Sequence, residues 1–312
     1  MGFLCISAVS IYKYIKTENG IFLLLFILTI FVNKYVLSVL GFTYPSVYQG
    51  WQTLVGAFIL LYLRPSLFMS NEENNRLTCY NFFKILPNLL IYVGSIVSGS
   101  KALSTIPVPL FICAQNTSAV CVMLCTLKNV NLFDFILSIT ALVSSLFLFL
   151  YIEIVMPFGY HPWPIFFMLT TTLVELTTPS YESNAKEISK LYYRNIFSFI
   201  ILMPSSLYLG EAFSALQFKY LDQVGFYACC TVSGIAGIFL QLYSVRLLKK
   251  KQFNNNCIFA RIATLFISLL FFNSSLITIP LWLLIFVQCS STLMFTYNSH
   301  CNENKGSQEF LI

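Results

Sequence analysis

Three cations and one acid stand inside stretches of sequence that are otherwise uncharged and apolar. The cations are Lys34, Arg194 and Arg261, and the acid is Glu175. A cation at mid-bilayer costs on the order of 2.5–3.5 kcal/mol on insertion scales, so it normally faces a cavity or a partner. Lys34 sits deepest, with apolar residues on both sides. Glu175 can neutralise one of the three, which leaves a positive surplus. A water-filled cavity with surplus positive charge suits an anionic solute, and phosphate is the common biological one. A second reading stays open for two of them. Arg194 stands at the start of its stretch and Arg261 about a turn inside its own, so either can snorkel to the interface.

Around Arg194 runs Tyr192-Tyr193-Arg194-Asn195. Tyr192 and Asn195 are three apart and share a helix face. Aromatic rings stack on bases and amides bond their edges, a common way to hold a nucleobase. Taken alone, the tetrad reads first as an interfacial aromatic belt, since Tyr is enriched at membrane surfaces. The two histidines, His161 and His300, lie near expected span ends without a ligand pattern. His161-Pro162-Trp163 reads as an interfacial turn. The 10 cysteines include no Cys-x-x-Cys pair, and most lie in apolar stretches, so they predict neither disulfides nor a metal site. No cofactor is expected.

The elements that position these residues follow from composition. Of 312 residues, 57% are hydrophobic, 17% aromatic and only 10% charged, and the mean hydropathy is +0.77. A soluble domain carries about 25% charged residues. The 18 basic and 12 acidic residues cannot cover a globule of this size. A soluble enzyme, a nucleic-acid binder and a disordered regulator are excluded. The composition predicts an all-α polytopic membrane protein.

A spanning helix needs roughly 20 apolar residues, each rising 1.5 Å, to cross about 30 Å of hydrocarbon. Uncharged runs between charges and turn residues place ten spans, near 20–40, 45–63, 85–100, 106–127, 135–152, 163–181, 191–209, 224–245, 257–273 and 276–297. Tyr44-Pro45, Pro107-Val108-Pro109, Pro162-Trp163-Pro164 and Asn273-Ser274-Ser275 punctuate them. The uncharged run from Ile262 to Asn302 would reach about 60 Å as one helix, so it must fold back near Asn273. Residues 1–19 read as an N-terminal cytosolic or interfacial segment, without convincing signal-peptide features. An eleventh span there is the minority alternative.

Orientation follows the placement of Lys and Arg. With the N-terminus in the cytosol, thirteen of the 18 fall on cytosolic segments and two, Lys101 and Lys219, on the other side. The remaining three are the cations within spans. The net charge of +6 therefore reflects topology rather than nucleic-acid binding. Both termini are expected in the cytosol.

Several stretches together resemble the nucleotide-sugar transporters of the drug/metabolite transporter superfamily. The similarity is to Golgi GDP-mannose transporters and to a related animal branch whose members are assigned UDP-N-acetylglucosamine. Val32-Asn33-Lys34-Tyr35-Val36-Leu37-Ser38 resembles the family's Asn-Lys first helix, and Phe42-Thr43-Tyr44-Pro45 with Gln49-Gly50-Trp51-Gln52-Thr53 resembles the animal branch. Val108-Pro109-Leu110-Phe111 through Gln115-Asn116-Thr117 is similar to the fourth helix, where the family often has Lys-Asn. The family's nucleotide motif Phe-Tyr-Asn-Asn falls on Tyr192, Tyr193, Arg194 and Asn195, where Arg194 departs. Its sugar motif Gly-Ala-Leu-Asn-Lys falls on Cys257, Ile258, Phe259, Ala260 and Arg261, where only the final cation survives, as Arg. That loss argues against GDP-mannose itself.

The resemblance implies two inverted five-helix repeats, with halves over 20–152 and 163–297 and a cytosolic tail over 298–312. Self-similarity between the halves is not visible in the sequence. It also implies substrate contacts at Lys34, Gln115, Asn116, Tyr192, Tyr193, Asn195 and Arg261. The function expected is an antiporter, not an enzyme. It would bring a nucleotide sugar, first UDP-N-acetylglucosamine, into the lumen in exchange for a nucleoside monophosphate. GDP-mannose or another nucleotide sugar, and a non-transporting scaffold, are the alternatives. The C-terminal Glu309-Phe310-Leu311-Ile312 carries no dilysine or Lys-Asp-Glu-Leu signal. The Golgi membrane is thus a family expectation, with the ER second. Beyond the bilayer and its solutes, a homodimer is the one partner considered.

Overall fold

In the computed structural model the described residues are 17–68, 79–127, 131–155, 162–178, 184–249, 253–272 and 278–309, and every regular element among them is helical. Helix α1 (Glu18–Lys34) runs into a π-helical turn over Tyr35–Val39. Then follow α2 (Pro45–Phe68), α3 (Cys79–Thr105), α4 (Val108–Thr126), α5 (Leu132–Val155), α6 (Trp163–Thr177) and α7 (Asn184–Tyr208). A short α8 (Glu211–Ala215) precedes α9 (Val224–Lys249), α10 (Phe253–Phe271) and α11 (Ile279–Glu309).

Local chemistry sets several of these limits. Thr17 caps α1, its hydroxyl accepting from the Gly20 amide at 3.3 Å, and Glu18 favours the positive end of the helix dipole. Proline opens α2, and Pro107 and Pro162 stand at the N-caps of α4 and α6, where the missing N–H costs nothing. Gly41, at φ +74°, turns the chain between the π-helical turn and α2.

The bundle is built for lipid. Tyr62, Ile154 and Leu270 are more than four-fifths exposed, while Ser98, Ser138, Thr117 and Gln288 are buried. Polar groups turned inward and apolar groups turned outward are the reverse of a water-soluble protein. Small hydroxyls tie the helices together. Gln288 of α11 donates to the Cys113 carbonyl at 2.8 Å and to Ser145 of α5 at 2.9 Å, and Thr117 and Ser145 lie 2.7 Å apart. Among the described residues, five helices are long and apolar enough to cross a bilayer by length and composition: α1 with its π-helical turn, α4, α5, α9 and α11. The chain is a polytopic membrane protein.

The pairing of the helices has a pattern that the sequence did not reveal. Among the described residues, five long helices stand before residue 156, and five more after 162 with α8 between the second and third of these. Helices at the same place in each set pack together, α2 on α7 and α5 on α11. The others pack reciprocally: α3 on α6 matches α9 on α1, and α4 on α6 matches α10 on α1.

Each long helix overlaps one of the ranges expected from hydropathy, and the differences lie at the ends. Helix α7 starts at Asn184 rather than near 191, and α3 at Cys79 rather than near 85. Helix α11 continues from the expected limit of 297 through Glu309, about 46 Å in all, so most of the expected tail is helical. Hydropathy marks only an apolar stretch, whereas the backbone ladder of a helix already formed can propagate past it, adding one hydrogen bond per residue, even through residues of low helix propensity such as Asn298, Ser299 and Gly306. The π-helical turn was not foreseen. Residues 1–16 of the N-terminal segment, the hairpin residues Asn273-Ser274-Ser275, His161 and the last three residues lie outside the described residues.

Candidate functional site

A cavity of about 250 Å³ opens among α1, α2, α3, α4, α6, α7 and α9. Its polar wall centres on Asn33, whose Oδ1 accepts from the Tyr48 hydroxyl at 2.8 Å and from Gln52 Nε2 at 2.8 Å. Ser233 of α9 also donates to this oxygen, and Gln52 Nε2 reaches Ser233 Oγ at 2.5 Å. One amide therefore links α1, α2 and α9. Beside it, Gln49 donates to Ser100 of α3 at 2.6 Å. Gln49, Gln52 and Thr53 share one face of α2 by helical spacing. The apolar wall contains Phe111 and Phe167, stacked with ring centroids 4.9 Å apart.

Close helix contact is needed to shape this space. A Cβ on Gly56 of α2 would lie 2.9 Å from Asn195 Oδ1, and one on Gly99 of α3 2.9 Å from the Phe167 ring. Only glycine lets those side chains reach the cavity.

Of the residues expected from sequence, Gln115 and Asn195 line this cavity. The Gln115 Oε1 is buried without a hydrogen-bond donor. A buried unpaired acceptor costs about 1–3 kcal/mol, so a ligand donor is welcome there. Asn195 is buried and donates to the Leu191 carbonyl at 2.8 Å, leaving its oxygen toward Gly56. Asn116 is buried outside the lining, with Nδ2 3.7 Å from Cys289 Sγ and Oδ1 unpartnered. Tyr192 and Tyr193 also lie outside it, their rings edge to face at 5.5 Å, with Tyr192 packed on the cluster of Leu60, Leu191 and Ile238.

The three cations separate. Lys34 is 7% exposed, and its ammonium donates to the Leu103 and Ile106 carbonyls at 2.8 and 2.9 Å. These carbonyls belong to the end of α3, where the helix leaves acceptors without partners and its dipole is negative. Lys34 faces a second cavity of about 270 Å³ with Ser38, Thr105, Pro107 and Ser268, rather than the first. Arg261 is half-buried, and its Nε and Nη1 have no hydrogen-bond partner. It lies within electrostatic reach of Glu175 and Cys257, without closing to ion-pair distance. Arg194 holds its guanidinium 4.2 Å from the Tyr92 ring centroid and donates to Gln241 Oε1 at 3.2 Å.

Sequence reasoning missed Asn33, Gln49, Gln52, Ser233 and Gln241 as site residues. A search for charges passes over neutral amides, and the signals on offer were the helical spacing of Gln49, Gln52 and Thr53 and the place of Asn33, Gln49 and Gln52 in the stretches that resemble the family. Among the described residues the cavity lining holds no charged side chain. Its amides and hydroxyls can give and accept hydrogen bonds along the edge of a base or the hydroxyls of a sugar, while Phe111 and Phe167 offer an apolar face.

An apolar-faced helical bundle around a polar cavity is an architecture that a membrane transporter requires. Comparison with known proteins is more particular. No protein-family model matches the chain. It is 32% identical over 265 residues to the UDP-N-acetylglucosamine transporter TMEM241 homolog of Xenopus laevis, covering 81% of this chain and 86% of the relative. It is 32% identical over 259 residues to the UDP-N-acetylglucosamine transporter TMEM241 of Mus musculus, covering 78% and 84%. With the Golgi GDP-fucose transporter of Drosophila melanogaster it shares 26% over 230 residues, covering 68% and 67%. The chain belongs to the nucleotide-sugar transporter family. Its relatives are transporters, not enzymes.

Proposed function

We propose that this protein is a Golgi antiporter that carries UDP-N-acetylglucosamine into the lumen in exchange for UMP. The observation that carries the reading is the likeness to the two UDP-N-acetylglucosamine transporters over more than four-fifths of their length. The polar cavity supports it, since neutral amides at Asn33, Gln52, Gln115 and Asn195 match a uracil edge and sugar hydroxyls. Arg261, with two unmet donors, meets the phosphates. Tyr193 and Tyr192 flank the base side, Asn116 offers its unpartnered Oδ1 beside Cys289, and Lys34 adds positive potential from the end of α1.

Ten spans with both termini cytosolic fit the thirteen-to-two basic bias. The reciprocal helix pairing supports two repeats, and a repeat of five spans must insert with inverted topology because five is odd. The halves then rock about the cavity to expose it alternately. Exchange fits the unpaired polar groups, because a bound nucleotide spares the Gln115 oxygen and the unmet Arg261 donors from being left unsatisfied while the halves reorient. The cavity is enclosed within one chain, so a homodimer would not complete it.

A guanine nucleotide is the second reading, favoured by the likeness to the GDP-fucose transporter. Counterflow into proteoliposomes preloaded with UMP or GMP tests both. Uptake of labelled UDP-N-acetylglucosamine driven by UMP supports the first, and uptake of GDP sugars driven by GMP alone supports the second. No uptake under either condition sinks the transport reading in favour of a scaffold, with the ER in place of the Golgi as a matter for imaging.

A further inference from the structure

Arg194 is the residue at which this chain departs from the family's nucleotide motif, and its surroundings suggest why. We infer that Arg194 is a phosphate-binding and specificity-determining residue, whose guanidinium rests against Tyr92 and Gln241 until the α-phosphate of the bound nucleotide draws it into the central cavity. The inference rests on the transport reading above.

Two of the residues that hold the guanidinium, Tyr92 and Gln241, are themselves part of the cavity wall. Arg194 therefore stands one side chain behind a lining that carries no charge of its own. The next residue along the chain, Asn195, lines the cavity directly, so the two come from a single turn of α7.

The holding contacts are weak enough to exchange. The bond to Gln241 is 3.2 Å, at the long end of the N–H···O range, and its acceptor is a neutral amide. Gln241 in turn reaches the Tyr92 hydroxyl only at 3.4 Å. A phosphate oxygen would accept at about 2.7–2.9 Å in a charge-assisted bond roughly twice as strong. The Arg194 Nε is buried with no hydrogen-bond partner, and among the described residues no carboxylate forms an ion pair with the guanidinium. A half-buried guanidinium with a buried, unpartnered Nε and no counter-charge among the described residues lacks an anion.

The Tyr92 contact does not compete with that role. The ring takes the flat face of the guanidinium, while the in-plane N–H groups, apart from the Nη2 bond to Gln241, stay open to the planar fork that phosphate accepts. Placed beside the residue that faces the base, this cation reaches the phosphate nearest the nucleoside. Arg261 is left to meet the diphosphate farther along.

The test compares UMP with uridine, which differ only by that phosphate. Purified protein in detergent is titrated with each, and ligand-induced thermal stabilisation gives the half-saturation concentrations. Wild-type protein should favour UMP over uridine by roughly tenfold or more, the scale of one charge-assisted hydrogen bond. In Arg194→Gln the preference should collapse toward unity while uridine binding is kept. Arg194→Lys should keep part of the preference, since the charge remains without the fork. A variant Arg194→Gln that retains the wild-type preference overturns the inference while leaving the transport reading intact. If Arg194→Gln binds neither ligand, Arg194→Lys decides: recovery of the UMP preference supports the inference, and equal loss of UMP and uridine assigns Arg194 a packing role instead. Wild-type protein that binds neither UMP nor UDP-N-acetylglucosamine removes the transport reading and this inference with it.

Discussion

Lys34 at the end of α1 and Arg261 early in α10 both bring a positive charge into an apolar bundle, yet their surroundings differ in kind. The Lys34 ammonium spends two donors on the carbonyls that end α3. Arg261 keeps two buried donors unspent and has Glu175 only at a distance. The first cation completes a helix end. The second is open to something the protein does not itself supply. Charge and depth alone treat the two alike, and the difference comes from what the neighbouring helices present.

The largest effect should come from the unspent cation. Arg261→Ala is expected to lower exchange on the order of a hundredfold, matching about 3 kcal/mol of lost charge-assisted contact. Its unfolding midpoint should stay near that of wild type, because no internal hydrogen bond is lost. Arg261→Lys should keep substantial exchange. Proteoliposome exchange and thermal unfolding, measured on the same preparations, read both quantities. Normal exchange by Arg261→Ala would make the two cations alike after all.

Lys34→Met should show the opposite profile. It leaves the Leu103 and Ile106 carbonyls buried without donors, a loss of about 2–3 kcal/mol in stability. Denaturant unfolding in detergent would measure it, and an unfolding midpoint equal to wild type would free Lys34 from its structural assignment. A smaller change sharpens the contrast from the acidic side. Glu175→Gln removes the carboxylate that, among the described residues, lies within electrostatic reach of Arg261, so UDP-N-acetylglucosamine should bind a few fold more tightly at low salt. Weaker binding would instead mean that Glu175 holds Arg261 in place.

The smallest effect belongs to a third cation, Lys101. It lies 4.0 Å from Glu211 and donates to the Thr43 carbonyl at 3.2 Å, and Glu211 also accepts from the Ser46 amide at 2.9 Å. The pair is partly exposed, so Lys101→Ala should cost under about 1 kcal/mol. Unfolding in low and in high salt would check this, the difference from wild type shrinking as salt screens the pair. A cost as large as that of Lys34→Met would show that carbonyl-held and acid-held cations count equally here.

Much of the architecture was legible in the residues themselves. Hydropathy places helices because spanning segments must satisfy their own backbone and show lipid an apolar surface, and both demands are local. The prolines at 45, 107 and 162 mark helix starts for an equally local reason, the missing N–H. The resemblance of residues 32–53 and 108–117 likewise pointed to the family. Helix ends were less legible, since α7 and α11 run on into water, where hydropathy no longer constrains them. Which side chains meet is a property of packing. Asn33 becomes the hub of the cavity only because α2 and α9 bring Tyr48, Gln52 and Ser233 to its oxygen. Lys34 becomes a helix cap only because α3 ends beside it. Those partners lie up to 200 residues apart, and no periodicity along a chain encodes a distance between helices. The sequence by itself determined which segments are apolar helices and which charges they carry; the tertiary structure alone decided which of those charges were already satisfied, because satisfaction depends on donors and acceptors carried by other helices.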